Sequence, residues 1–288
     1  MITKLNRYVN ALKSKLGVKR KYNLGKVFID LDNTHKLPEY QANNPFYDRF
    51  LPHMISYLSP GSLVVDVGAN VGDTLGGMVG SNSKLKYLCV EADTNFYSEL
   101  VSNVDLIKLQ VPEAVIHTAN VFVGKDVDDV SLEGKGGTKH AVVGGTIKSQ
   151  PLDQVLKSAG LCDHLALLKT DVDGFDFDVI RSSYKLLDNC PFIFFEAQCD
   201  NTDQLRGYKE LFDELSVKGY HHFALFDNFG QYVITVNDAL QFSELLDYVY
   251  RQNEKKSTRT VFYFDVLAHA EEQSSIVKMA LAEYSQRW

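Results

Sequence analysis

Between residues 62 and 196 the chain alternates short, continuously apolar runs with longer segments of helical periodicity. Residues 62–67, 87–91, 114–118, 165–170 and 192–196 are the apolar runs. Each is too short for a buried helix and rich in β-branched or aromatic side chains, which predicts strands. The intervening segments 74–79, 95–110, 151–159 and 175–187 repeat their apolar residues at helical spacing. Strands that are apolar on both faces and separated by helices specify a parallel sheet covered on both sides. Further on, 203–218, 239–251 and 270–286 predict helices and 260–267 a last strand. Residues 222–226 and 231–236 predict a hairpin turning at Asp227-Asn228-Phe229-Gly230, which adds an antiparallel edge near the C-terminal end.

Ahead of this alternation the pattern changes. Residues 1–21 predict an amphipathic helix with Leu5, Val9, Leu12 and Leu16 on one face, 22–45 an irregular and partly extended segment, and 46–58 a helix carrying Phe50, Met54 and Leu58. Residues 119–133 suggest a hairpin and 134–145 a glycine-rich loop. No internal repeat and no dividing linker interrupts the 288 residues, so one catalytic domain (59–288) with an N-terminal basic helix and cap segment (1–58) is expected.

Charge sharpens this division. Lys4, Arg7, Lys13, Lys15, Lys19, Arg20, Lys21 and Lys26 precede the first acid, Asp30, leaving 22 Lys and Arg against all 37 Asp and Glu in the remainder. An acidic body excludes a nucleic-acid grip by the domain itself. No run of about 20 apolar residues is present to span a membrane, and the charged N-terminus lacks the apolar core of a signal peptide. Cys89, Cys162, Cys190 and Cys199 form no C-x-x-C pair and are expected as free thiols of a cytoplasmic protein.

Ligands of open α/β sheets sit outside the carboxyl ends of the strands, so those ends carry the candidate chemistry. The first strand runs into Asp66-Val67-Gly68-Ala69-Asn70-Val71-Gly72-Asp73-Thr74. Its glycines permit close backbone approach at a helix N-terminus. Asn70 replaces a glycine of the dinucleotide fingerprint, the third glycine is absent, and Asp66 would repel a diphosphate while attracting a cation. Glu91, 19 positions after Gly72, ends the second strand as the expected acceptor of ribose hydroxyls. A nucleoside bearing an ammonium or sulfonium fits these charges better than a nicotinamide dinucleotide.

The fourth strand leads into Leu168-Lys169-Thr170-Asp171-Val172-Asp173-Gly174-Phe175-Asp176, and the fifth ends in Glu196. Asp171 and Glu196 are expected in the cleft, whereas Asp176 reads as a helix-start residue. Together these motifs resemble the FkbM-type S-adenosylmethionine-dependent methyltransferases over roughly residues 35–200. The glycine turn 66–74 is similar to that family's first motif, Glu91 to its strand-end acid, and Lys169 to Asp176 to its Lys-x-Asp-x-Glu-Gly-x-Glu signature. Asp173 and Asp176 stand where Glu is usual. Leu37-Pro38, Tyr40, Tyr47-Asp48 and Ser149 to Asp153 are also similar to family patterns.

The resemblance implies a class I methyltransferase (Rossmann-like) fold: α/β, doubly wound, mostly parallel, with an antiparallel C-terminal edge and an N-terminal helical extension. It implies S-adenosylmethionine as cofactor and methyl transfer to an oxygen, often of a sugar in a glycan or natural product, in keeping with polysaccharide biosynthesis. Asp66, Gly68, Ala69, Asn70, Gly72, Asp73 and Thr74 would cradle the methionine part. Glu91, Ala92 and Asp93 would take the ribose, Thr118 and Ala119 would flank adenine, and Asp171 would lie beside the cofactor. Asp171, Glu196 and His140 are the candidate bases, with Lys169 orienting a carboxylate or an anionic substrate. A divalent metal held by Asp171 and Glu196 is a minor alternative. The competing functions are a nicotinamide-dependent oxidoreductase and a non-catalytic nucleoside-fold scaffold. Tyr40, Tyr47 and Phe50 are candidates to close the cofactor cleft. For the basic arm two readings stand: packing on the domain or a second subunit, and contact with an anionic lipid or glycan surface.

Overall fold

The computed structural model describes residues 2–124, 130–135, 138–143, 149–161, 164–255 and 259–287. The N-terminal part holds α1 (Ile2–Lys15), β1 (Lys19–Asn23), β2 (Phe28–Asp32), α2 (Leu37–Asn43) and α3 (Phe50–Met54). The first half of the sheet region follows as β3 (Leu63–Val67), α4 (Asp73–Ser81), β4 (Lys86–Val90), α5 (Thr94–Gln110), β5 (Val115–Ala119) and β6 (Phe122–Val123). Then come β7 (Val130–Lys135), β8 (Thr138–Val143), β9 (Ser149–Gln150), α6 (Leu152–Ser158), β10 (Leu165–Thr170), α7 (Asp176–Ser182) and β11 (Phe192–Gln198). The chain closes with α8 (Thr202–Val217), β12 (His222–Asp227), β13 (Tyr232–Val236), α9 (Ala239–Lys255), β14 (Tyr263–His269) and α10 (Ser274–Arg287).

The main sheet has the order β13-β12-β14-β11-β10-β3-β4-β5. Pairs from β5 through β11 are parallel, and β14 is antiparallel to both of its neighbours. This is the doubly wound, Rossmann-like architecture expected from the apolar runs. Along β3 the side chains alternate between two cores: Val64 packs on one face with Tyr87, Cys89 and Leu167, while Leu63, Val65 and Val67 pack on the other with Leu88 and Leu168. Helices α3, α4, α5 and α10 cover the first face, and α6 and α7 the second.

Two expectations need correction and two are sharpened. The N-terminal helix ends at Lys15 instead of continuing to residue 21, because Gly17 turns left-handed and the chain enters β1. The segment after residue 21 is partly extended as expected, and its extended part is an ordered strand: β2 pairs antiparallel with β1, and its alternate residues Ile29 and Leu31 are buried. Val27, Ile29, Leu31, Leu37, Phe50 and Met54 thereby join the core of the sheet, so the N-terminal segment shares the domain's interior. The hairpin lies later than 119–133. β7 covers the end of that stretch and pairs with β8, which lies in the segment read as a glycine-rich loop, while β6 pairs in parallel with β9. Finally, the 222–236 hairpin does form the antiparallel edge, but β14 inserts between it and β11. Its central Phe264, Val266, Leu267 and Ala268 are buried, and a strand apolar on both faces belongs inside a sheet.

Among the described residues no helix is long and apolar enough to cross a membrane. Cys89, Cys190 and Cys199 are free thiols; Cys162 lies outside the described residues.

Candidate active site

The strand order reverses at β3, which has β4 on one side and β10 on the other. The glycine turn after β3 and the acidic turn after β10 therefore meet at the carboxyl edge, where doubly wound sheets bind ligands. Asp66 and Lys169 are directly across from each other in this parallel pair. Lys169 Nζ lies 2.9 Å from Asp66 Oδ1 and 3.5 Å from Asp171 Oδ2, and donates to the Gly68 carbonyl at 3.2 Å. Both members of the Asp66–Lys169 pair are buried. Burial alone would pull the lysine down, but Asp66 and Asp171 outweigh it and hold its pKa above the ordinary value. Asp66 is thus the counter-ion of Lys169 and does not reach the cleft surface.

Glu91 ends β4 with both oxygens held by backbone amides: Asn70 N–H donates at 2.8 Å and Asp93 N–H at 2.7 Å. Asp93 caps α5, accepting from the amides of Asn95 and Phe96. Around them opens a cleft of about 600 Å³, walled by Val67, Gly68, Asn70, Val90, Ala92, Phe96 and Val121–Val123, with Asp171, Val172 and Asp173 at its other side. Each Glu91 oxygen keeps a lone pair for a hydroxyl, and the apolar wall suits a flat base. Asp93, Asp171 and Asp173 make the surroundings acidic, so a cationic nucleoside fits. Burial, followed by the charge of Asp171, pushes Asp173 up to about 7.

A second cleft, about 510 Å³, shares Asp171 with the first. Phe46, Phe50, Phe194 and Phe226 line it together with Asp48, Arg49, Thr74, Lys169, Glu196 and Asp265. Glu196 on β11 is directly opposite Asp265 on β14. Burial and then Asp171 and Asp265 push Glu196 well above the carboxylate range. Burial and then Asp48 and Asp171 do the same to Asp265. Asp48 opens onto this cleft and is exposed to solvent. Crowded carboxylates such as Glu196 and Asp265 favour their protonated forms.

The remaining sequence candidates fall as follows. Asp73 and Thr74 open α4; Thr74 lines the second cleft, and Asp73 faces His35 at 3.9 Å on the far side. Thr118 and Ala119 do not wall the nucleoside cleft: Thr118 shares a hydrogen bond with Tyr97, and the wall comes from Val121–Val123, just beyond the end of β5. Asp176 is fully buried, accepting from Thr170 Oγ1 at 3.1 Å and Tyr208 OH at 3.4 Å, so it ties the β10 turn to α7 and α8. His140 sits in β8 opposite Glu133, and its side chain lies outside the described residues. Phe50 enters the second cleft, whereas the rings of Tyr40 and Tyr47 meet at a tilt of 57° with centroids 5.0 Å apart.

Asp48, Asp265, Phe96, Phe194 and Phe226 are among the cleft residues absent from the sequence candidates. An Asp inside the apolar run Tyr263–His269 is the local signal for Asp265. For Asp48 it is backbone conformation: of the four non-glycine residues with left-handed φ among the described residues, Asp48, Asn70 and Asp173 all line the clefts. Such backbones cluster at functional sites. Among the described residues no group of three or more His, Cys, Asp or Glu is arranged to hold a metal ion.

The sequence profile of the family described as methyltransferase FkbM domain matches residues 66–222, more than half of the chain. No curated protein matches it. Among solved structures the fold is similar to precorrin-6y C5,15-methyltransferase from Geobacter metallireducens, at 10% identity over 77% of this chain and 86% of that one, with a TM-score of 0.42. It is also similar to a SAM-dependent O-methyltransferase from Thermotoga maritima (12% identity, 77% and 64% covered, TM-score 0.43). A third is the plantazolicin methyltransferase BpumL in complex with SAH (8% identity, 82% and 89% covered, TM-score 0.42).

Proposed function

The chain belongs to the FkbM methyltransferase domain family, and from that premise we propose that it transfers a methyl group to a hydroxyl oxygen, that of a sugar in a glycan or natural product. The observation that carries this reading is the pair of clefts joined at Asp171, one suited to a cationic nucleoside and the other walled by carboxylates and aromatic rings. Glu91 would hold the ribose hydroxyls with the lone pairs that Asn70 and Asp93 leave free. Phe96 and Val121–Val123 would flank the adenine, and the turn Gly68–Asn70 would face the methionine part.

Bound S-adenosylmethionine supplies a methyl group on a sulfonium, already activated toward a nucleophile. The protein's own task is then alignment and proton removal. Phe50, Phe194 and Phe226 offer flat apolar faces to a sugar ring, and Asp48, Asp171 and Asp265 offer acceptors to its hydroxyls. Glu196 is the general base. Burial and the charge of Asp171 raise its pKa, so once ionised it is a stronger base than an ordinary carboxylate and takes the hydroxyl proton as the oxygen loses it. Lys169 fixes Asp171 at the junction of the clefts.

The test is transfer of labelled methyl from S-adenosylmethionine to fractionated glycan and small-molecule extracts, with and without chelator. Label in an alkali-stable ether of a hydroxylated acceptor is the expected outcome. Label only on protein or nitrogen acceptors would overturn the oxygen assignment, and binding of NAD in preference to S-adenosylhomocysteine would overturn the cofactor.

A further inference from the structure

The N-terminal arm is the part of the molecule that the two clefts leave unexplained. It carries eight Lys and Arg before the first acid of the chain. From Val9 onward the apolar stripe of the arm does not pack on the domain. Val9 is 39%, Leu12 51% and Leu16 70% exposed, and Val18, just beyond the helix, is 47% exposed. Lys13, Lys15, Lys19 and Lys21 are exposed around them. Contiguous apolar side chains held in water mark a surface that meets something else.

The base of the arm is fixed to the body. The Phe28 amide donates to Gln110 Oε1 at 3.0 Å, the Asp30 amide to Asn103 Oδ1 at 2.9 Å, and Lys19 pairs with Glu99 at 3.2 Å. The hairpin thus holds the root of α1 against α5. We propose that α1, with Leu16 and Val18, is an interfacial anchor that docks on an anionic lipid surface. Val9, Leu12, Leu16 and Val18 enter the boundary between headgroups and acyl chains, and the flanking lysines meet the anionic headgroups. Charge selects this occupant. A second copy of the arm would bring like charges together, because the arm has no acid to pair with them. A nucleic acid would leave the apolar stripe in water and would face the acidic body.

Flotation of the full chain with vesicles tests the proposal, using phosphatidylcholine alone and phosphatidylcholine with about one third phosphatidylserine. The wild type is expected to float only with the anionic vesicles and to dissociate as salt is raised. Leu12→Glu with Leu16→Glu, and separately Lys13→Glu with Lys15→Glu, are each expected to weaken binding at least about tenfold. All four positions are exposed, so both variants should keep the wild-type melting temperature. Failure of the wild type to float with anionic vesicles would overturn the proposal, as would wild-type flotation by both variants. A concentration-dependent dimer dissolved by the two leucine substitutions, without flotation, would assign the face to a second copy instead.

Discussion

The place a side chain would occupy at Gly68 is filled by the backbone of Asp171. A Cβ there would overlap the Asp171 carbonyl oxygen and lie 2.9 Å from its carbon, and Gly68 also has φ +78°. The glycine lets the turns after β3 and β10 close on each other, which sets the junction between the clefts. Gly68→Ala should therefore displace the Asp171 turn and destabilise the fold by at least about 2 kcal/mol. Gly160→Ala, at φ +70° with open space around it, should cost only about 1 kcal/mol. Urea denaturation of both variants checks the contrast; equal losses would remove the packing argument.

Removing Lys169 leaves Asp66 as a buried carboxylate without its counter-ion, since Asp66 Oδ2 has no hydrogen-bond partner among the described residues. Lys169→Met should destabilise by about 3–5 kcal/mol. Adding Asp66→Asn should recover part of that loss, because the uncompensated charge disappears. A double-mutant cycle by chemical denaturation measures the coupling, and additive losses would show that the pair is not energetically linked.

Burial, followed by the charge of Asp171, pushes Asp176 up to about 7, against about 4 in an unfolded chain. Between these values the folded protein keeps a proton that the unfolded chain has released. The stabilisation from this site is fully present below pH 4 and is lost as the pH rises through 7. Relative to Asp176→Asn, the wild type should lose about 2 kcal/mol of stability between pH 5 and pH 8. Parallel stability curves for the two proteins would contradict this.

Glu196 can accept a proton only when ionised, and burial with Asp171 and Asp265 holds its pKa well above the ordinary carboxylate range. The methyl-transfer rate should rise with pH and level off once Glu196 is ionised. Glu196→Gln should lower kcat by about 10²–10⁴-fold and flatten that rise. Asp265→Asn removes a like charge directly across the sheet, so it should move the rise to lower pH. A rise that stays in place in Asp265→Asn would separate the two residues.

Glu91→Ala removes the acceptor of two backbone amides and of the expected ribose hydroxyls. S-adenosylhomocysteine affinity, measured by calorimetry, should fall at least about tenfold. Retained affinity would place the nucleoside elsewhere.

The glycine turn, Glu91 just past its strand, Glu196 within the fifth strand, and the five parallel strands were legible in the sequence because each leaves a local mark. A strand buried on both faces must be continuously apolar, and a tight turn into a helix needs glycine or a small polar residue. The sequence also marks Asp66 as a carboxylate at a strand end. Only the parallel register of β3 and β10 turns that carboxylate from a ligand-facing charge into the counter-ion of Lys169. Likewise, β14 comes late in the chain, and its insertion beside β11 sets Asp265 against Glu196, whose carboxylate is pushed upward by burial, Asp171 and then Asp265. The amphipathic pattern of α1 could be read from residue spacing, whereas the bare state of its apolar face depends on what the folded body leaves uncovered. Local composition determines which elements form. Register and packing between distant segments decide which charges meet, and the chemistry of this site depends on those meetings.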